Sequence, residues 1–251
     1  MLVMGILNVT PDSFADGGLH LETDAAIAHG LEMARDGADI IDIGGESTRP
    51  GADRVPEEIE QARVLPVIAP LAKSGCRISI DTMRASTARL AVKAGASIVN
   101  DVSGGAADPE MFSTIAELDC TYILMHWRGH SKDMNAKAIY GDVVAEVITE
   151  MTKQLDKALA KGIRKDQIVL DPGIGFAKEA DHNWELLNRI DELQALGYPL
   201  LIGHSRKRFL GGRTPDDRED ATVELTRSLS TIGIWGVRVH GVKANVEAAK
   251  S

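Results

Sequence analysis

The sequence predicts an α/β protein, a single-domain (β/α)8 TIM barrel over residues 1–251, on three observations. Short apolar stretches alternate with amphipathic ones, the pattern of parallel strands joined by helices. Each apolar stretch ends in polar, ionisable and glycine residues, so chemistry gathers at the C-terminal ends of the strands. The 251 residues are also the usual length of one such barrel, and no repeat or low-complexity linker divides them. Right-handed crossovers then bring every strand end to one face.

Composition narrows the function classes. Hydrophobic residues make up 44% of the chain but aromatics only 4%, so aliphatic side chains and alanine must fill the core. A net charge of -9 argues against a nucleic-acid partner. It does not exclude an anionic small molecule, because Arg49, Arg206, Lys207, Arg238 and His240 all fall at predicted strand ends. No apolar run reaches transmembrane length and the start does not read as a signal peptide, so no membrane partner is expected and a cytoplasmic location is. Cys76 and Cys120 are too few for a zinc site or a disulfide framework and read as small core residues.

The first strand, about 3–9, leads the stretch MGILNVTPDSFADGG, where Asn8, Thr10, Asp12 and Ser13 gather polar oxygens. The second, 39–43, ends in IDIGGESTRPGAD. Its glycines and the Pro50-Gly51 turn project Thr48 and Arg49 over the mouth. The third (77–81), fourth (97–101) and sixth (168–171) end in Asp81, in Asn100 with Asp101, and in Asp171. One such Asp is commonly a helix cap. Three acid or amide groups at alternate strand ends call for a polar ligand or water, because each costs free energy if desolvated alone.

The fifth strand, 121–126, ends in YILMHWRGHSKDM. His126 and His130 have i,i+4 spacing, yet they straddle a strand end and lack the intervening Glu of a zinc protease, so Met125 and Trp127 read as a wall. After the seventh strand, 200–203, Ser205 reads as an N-cap and Lys207 as a first-turn side chain pointing to the mouth. Lys207 could form a Schiff base in an aldolase. Arg206 and the nearby carboxylates favour a fixed hydrogen-bond donor instead. The eighth strand, 236–239, alternates Arg238, Val239 and His240, placing Arg238 and His240 on one face toward one anion. Helical patterns fall at 24–36, 57–74, 85–94, 143–161, 184–196 and 218–231, and a short, clipped-looking helix follows Val242.

NVTPDSF, GGESTRPGA, IDT, NDVSGG, LDPGIGF, SRK and RVH, in that order and each at a strand end, together resemble the dihydropteroate synthase family over nearly the whole chain. HWRG and SRKRFLG look most like its actinobacterial branch. The resemblance implies a Mg²⁺-requiring transferase of folate biosynthesis. It would join 6-hydroxymethyl-7,8-dihydropterin diphosphate to 4-aminobenzoate, giving 7,8-dihydropteroate and pyrophosphate, with sulfonamides as competitors and a homodimeric assembly. By the same resemblance Asp81, Asn100, Met125, Asp171 and Lys207 bind the pterin. Asn8, Thr48, Arg238, Val239 and His240 bind the diphosphate, Asn8 through the metal. Thr48, Arg49, Pro50, Phe176 and Ser205 bind 4-aminobenzoate, whose carboxylate meets the start of the helix after the seventh strand. Asp81, Lys207, Arg238 and His240 carry the catalysis, and the loop from Asp12 to Gly18 closes over the metal.

Two residues depart from the family pattern. Gly241 stands where an acid commonly follows RVH, and His204 precedes SRK, where it would crowd the pterin floor or hydrogen-bond nearby. The rival readings are a pterin-binding methyltransferase domain, a non-catalytic pterin-binding paralogue and a Lys207 aldolase. The diphosphate and loop residues argue for the synthase.

Overall fold

The computed structural model describes residues 1–10, 18–47, 54–130 and 134–251. Strand β1 (Leu2–Asn8) is followed by α1 (Gly18–Arg35), β2 (Ile40–Gly44) by α2 (Glu57–Lys73), and β3 (Ile78–Asp81) by α3 (Ala85–Ala94). Then come β4 (Ile98–Asp101), α4 (Met111–Glu117), β5 (Thr121–Met125) and α5 (Val143–Ala160). Next are β6 (Ile168–Asp171), α6 (Ala180–Asn188), α7 (Ile190–Gln194) and β7 (Leu201–Ile202). Helix α8 (Glu219–Ser230), β8 (Gly236–Val239) and α9 (Val242–Lys250) complete the chain. The strands pair in parallel in the order β6-β5-β4-β3-β2-β1-β8-β7. A Leu170–Leu200 bridge, with the Leu170 N–H donating to the Pro199 carbonyl at 2.9 Å, joins β6 to β7 and closes the barrel. No helix among the described residues is long and apolar enough to cross a membrane.

The period-two alternation of the strands separates two cores. Outward residues such as Leu7, Ile41, Ile80, Tyr122, Leu170 and Val239 pack under the helices. Inward residues Met4, Ile40, Ile98, Ile123, Val169 and Leu201 form an apolar plug inside the barrel. Two residues further along, the same inward face presents Ile6, Asp42, Asn100, Met125, Asp171 and Gly203. One step toward the strand ends therefore turns an oily plug into a polar floor. The register sets the neighbours, pairing Asp42 with Ser79, Gly44 with Asp81, Asp81 with Asn100, and Met125 with Asp171.

The element boundaries differ from the sequence patterns in four places. Helix α1 begins at Gly18, earlier than the apolar period indicates. Helix α4 has only seven residues, too few to show a period, and is held by buried Met111, Phe112 and Ile115. The continuous 184–196 pattern is broken at Arg189, whose φ of -114° and ψ of 34° separate α6 from α7. No helix starts at Ser205. Arg206 is left-handed with φ 56°, Gly211 and Gly212 also have positive φ, and only short 3-10 turns precede α8.

Candidate active site

Arg238 is the hub of the polar floor. Its Nε donates to Asp42 Oδ2 at 2.6 Å and its Nη2 to Asp81 Oδ2 at 2.7 Å. Asn100 Nδ2 donates to the same Asp42 oxygen at 3.0 Å. Asp42, fully buried, was missed in the sequence although an Asp within the apolar run IIDIG on the inward phase marks it. Its Oδ1, and the Oγ of its register neighbour Ser79, are buried with no hydrogen-bond partner among the described residues. Burial pushes Asp81 up to about 7; Arg238 opposes the shift while Asp42, Glu60 and Asp101 add to it. A guanidinium shared by two buried carboxylates offsets much of their desolvation and fixes their geometry.

Across the mouth, Asp171 Oδ1 accepts the Gly173 N–H at 2.7 Å, and burial raises its pKa. Lys207 Nζ donates to the Ile174 carbonyl and lies 4.0 Å from the centroid of the Phe176 ring. Burial drives the Lys207 amine down to about 7, against the pull of Asp171. Gly175, between Ile174 and Phe176, has φ 77°, and a Cβ there would strike the Lys207 stem. Glycine at this position serves both the backbone and the approach of the lysine. Asp81, Asn100, Met125, Asp171, Lys207 and Arg238 thus share the mouth.

Several expected residues sit differently. Ser205 Oγ accepts the His240 N–H at 3.1 Å and lies 3.0 Å from His240 Nδ1. The Ser205 hydroxyl thus faces His240, and no α-helix starts at Ser205. The Val239 side chain packs fully buried in the outer core, so only its backbone can serve the mouth. Asp101 accepts from Ser103 N, Ser103 Oγ, Gly105 N and Tyr122 Oη, tying the turn after β4 rather than facing the mouth. Thr48, Arg49 and Pro50, and the loop residues Asp12 and Ser13, lie outside the described residues. The stems flanking 48–53 are clamped by Glu46, which accepts from Arg54 Nε at 3.0 Å and Arg84 Nη1 at 2.9 Å.

Of the two conspicuous histidines, His126 turns toward helix α5. His126 is held between Glu150 Oε2 at 2.9 Å and Lys178 Nζ at 3.0 Å, and His130 stacks edge-on to Trp127. His204, fully buried, has Nε2 within 3.1 Å of the Thr222 carbonyl and 3.0 Å of Thr226 Oγ1. It lies behind the barrel wall and does not crowd the pterin floor. Burial pushes His204 down to about 4, so between its ordinary value and that value the unfolded chain takes the proton and the fold loses stability as pH falls. Gln in place of His204 is expected to remove up to ~3 kcal/mol of that acid sensitivity between about pH 6.5 and 4. Urea denaturation of both proteins across that window measures it.

With this mouth described, comparison with known proteins is decisive. The pterin binding enzyme family profile matches residues 4–240. The dihydropteroate synthase of Mycobacterium leprae is 50% identical over 258 residues, covering 99% of this chain and 91% of the relative. The chain belongs to the dihydropteroate synthases. The solved Xanthomonas albilineans dihydropteroate synthase with 4-aminobenzoic acid is 42% identical with a TM-score of 0.93, covering 99% of this chain and 90% of that one. The Yersinia pestis dihydropteroate synthase in a sulfonamide drug complex is 39% identical, also at 0.93, covering 99% and 92%. As a member of the dihydropteroate synthases the chain is a pterin-binding transferase on a (β/α)8 barrel, and the aldolase reading of Lys207 falls away.

Proposed function

We infer that the protein joins 6-hydroxymethyl-7,8-dihydropterin diphosphate to 4-aminobenzoate, forming 7,8-dihydropteroate and pyrophosphate. The observation that carries the site assignment is the juxtaposition of the Asp42–Asp81–Asn100–Asp171 floor with Lys207 on one side and Arg238 with His240 on the other. A pterin presents adjacent donors, its 2-amino group and N3–H, that suit a carboxylate. Asp171 uses Oδ1 for Gly173, which leaves Oδ2 in reach of that edge. Lys207 donates to the ring's acceptors, and Met125, buried at the end of β5, packs on its face.

Charge then sets the order of events. The C–O bond to the diphosphate breaks first, its electron pair leaving with pyrophosphate, and Arg238 and His240 are already placed to meet the growing negative charge. Asp81 and Asp171 stabilise the pterin cation left behind. The arylamine nitrogen supplies the new C–N bond and loses a proton, with no covalent enzyme intermediate.

The amide oxygen of Asn8, at the end of β1, would hold Mg²⁺, an ion that readily takes the rest of its shell from phosphate and water. When bound, Mg²⁺ would neutralise diphosphate charge. Thr48, Arg49 and Pro50, with Phe176 and Ser205, remain the proposed 4-aminobenzoate contacts, and sulfonamides the expected competitors there. The reading includes a homodimer, as the resemblance implies, and a cytoplasmic location, as the sequence pattern leads one to expect.

The test is pyrophosphate release from the pterin diphosphate, with and without 4-aminobenzoate and with and without Mg²⁺. Metal-dependent release accompanied by dihydropteroate is expected. Pterin binding without product would instead mark a non-catalytic paralogue.

A further inference from the structure

Two non-glycine residues have positive φ among the described residues, Ala177 at 48° and Arg206 at 56°. Left-handed backbone is costly for a residue with a Cβ and persists where the surroundings over-determine it. Arg206 separates Ser205, which meets His240, from Lys207, which meets Ile174 and Phe176. Both of its neighbours serve the mouth, while the Arg206 side chain runs to the outer helix layer.

Helix α8 and the residue before it hold Arg206 at three points. Arg206 Nε donates to Glu219 Oε2 at 2.6 Å, its N–H donates to Thr222 Oγ1 at 3.0 Å, and Arg218 Nη1 donates to its carbonyl at 3.1 Å. The other oxygen of Glu219, Oε1, accepts from Asn245 Nδ2 at 3.2 Å, and the same amide donates to the Gly241 carbonyl at 2.7 Å. A Cβ at Gly241 would run into that carboxylate. Gly241 has φ -86°, so it is room rather than backbone conformation that requires glycine. One carboxylate therefore abuts the residue before Lys207 and the residue after His240.

We propose that Glu219 is a positioning residue whose carboxylate, acting through Arg206 and Gly241, sets the placement of Lys207 relative to His240. A ligand carrying a pterin at one end and a diphosphate at the other would feel that spacing, so the inference rests on the proposed reaction. The attraction of an acid to a helix N-terminus also favours Glu219 at the start of α8. That attraction alone predicts a change in stability without selectivity between the two substrates.

The experiment is steady-state kinetics of Glu219→Ala, Glu219→Gln, Gly241→Ala and the Glu219→Ala/Gly241→Ala pair, with both substrates varied and thermal midpoints measured. Glu219→Ala is expected to lower kcat/KM for the pterin diphosphate by about tenfold or more, because a misplacement far from the chemistry is amplified there. The KM for 4-aminobenzoate should move less than about twofold. Glu219→Gln keeps an acceptor for Arg206 and should recover part of the loss. Gly241→Ala should reproduce the defect alone yet add little to Glu219→Ala, since the carboxylate it strikes is gone. Additive effects, equal shifts for both substrates, or unimpaired kinetics in Glu219→Ala would overturn the proposal. If Glu219→Ala does not fold, the Glu219→Gln and Gly241→Ala comparison decides by the same selectivity. An inactive wild type would sink the functional reading and this inference together, whereas an active wild type beside an indifferent Glu219 sinks the inference alone.

Discussion

Replacing Arg238 with Met is expected to lower kcat/KM by about a hundred- to a thousandfold and to destabilise the fold by about 3–5 kcal/mol. The two losses share a cause. Arg238 contacts Asp42 at 2.6 Å and Asp81 at 2.7 Å, and both carboxylates are buried. Without the guanidinium, two desolvated charges face each other with no counter-charge, and the leaving diphosphate loses its fixed cation. Arg238→Lys should rescue little, because one ammonium cannot reproduce two donors held in a planar fork. The variant also carries a pH signature. Burial already raises Asp81 to about 7 with Arg238 opposing it, so removing Arg238 raises it further. A carboxyl whose folded pKa lies above its unfolded one holds its proton more tightly in the fold, and stability falls as pH rises between the two. Arg238→Met should therefore be least impaired near pH 4 and lose ground toward pH 8, which denaturant melts at several pH values would detect. A flat profile would mean that another cation compensates Asp42 and Asp81.

The barrel was legible because the punctuation of the chain is strong. Each buried strand is a short apolar run, and the residues that end it are polar ones that tolerate or require unusual backbone. The strand assignments agree with β1 to β8 within one or two residues. What failed was local. A seven-residue α4 cannot display a 3.6-residue period, and the Arg189 break between α6 and α7 comes from a single residue's backbone angles. The segment after β7 was expected to be helical from Ser205, but Arg206 adopts φ 56° and tertiary contacts from α8 override its local preference.

The site was legible in its residue types and less so in its wiring. Asp81, Asn100, Asp171, Lys207 and Arg238 could be named because strand ends of a parallel barrel face one mouth. Asp42 was overlooked because it precedes the glycine turn that draws attention in the same strand. Phase alone settles it, since Asp42 shares the inward face with Ile40 while Ile41 and Ile43 pack outward. Ser205 and Val239 contrast in this respect. Sequence places each beside the mouth, but the contact of the serine hydroxyl with His240 is a tertiary one that no local pattern carries, whereas the outward valine follows from the same alternation that aims Arg238 and His240 inward. Gly241 is the clearest case, because the neighbour that needs its missing side chain, Glu219, lies on another helix.

Asp171→Asn should separate binding from folding more sharply than any other single change. The carboxylate is expected to accept from both donors at the pterin edge, and each charge-assisted bond is worth about 1.5–3 kcal/mol. An amide keeps one acceptor and turns a donor toward a donor, so KM for the pterin diphosphate should rise by about a hundred- to a thousandfold. The KM for 4-aminobenzoate should barely move. Stability should not fall with it. The Gly173 N–H, 2.7 Å from Asp171 Oδ1, can still be accepted by the Asn carbonyl, and burial that raises the Asp171 pKa means the charged form is held at a cost. Asp101 provides the contrast. Its two oxygens accept from four donors, one of them on each oxygen a backbone N–H, so Asp101→Asn aims an NH₂ group at the Ser103 or the Gly105 N–H, which can only donate, and should lose about 1–3 kcal/mol of stability. Two buried Asp residues, at the ends of β4 and β6, should then respond oppositely, one losing substrate and keeping its fold, the other losing the fold. If Asp171→Asn instead unfolds the protein while binding the pterin normally, Asp171 is a turn-holding residue like Asp101, and pterin recognition must pass to Asp42, whose Oδ1 has no partner among the described residues.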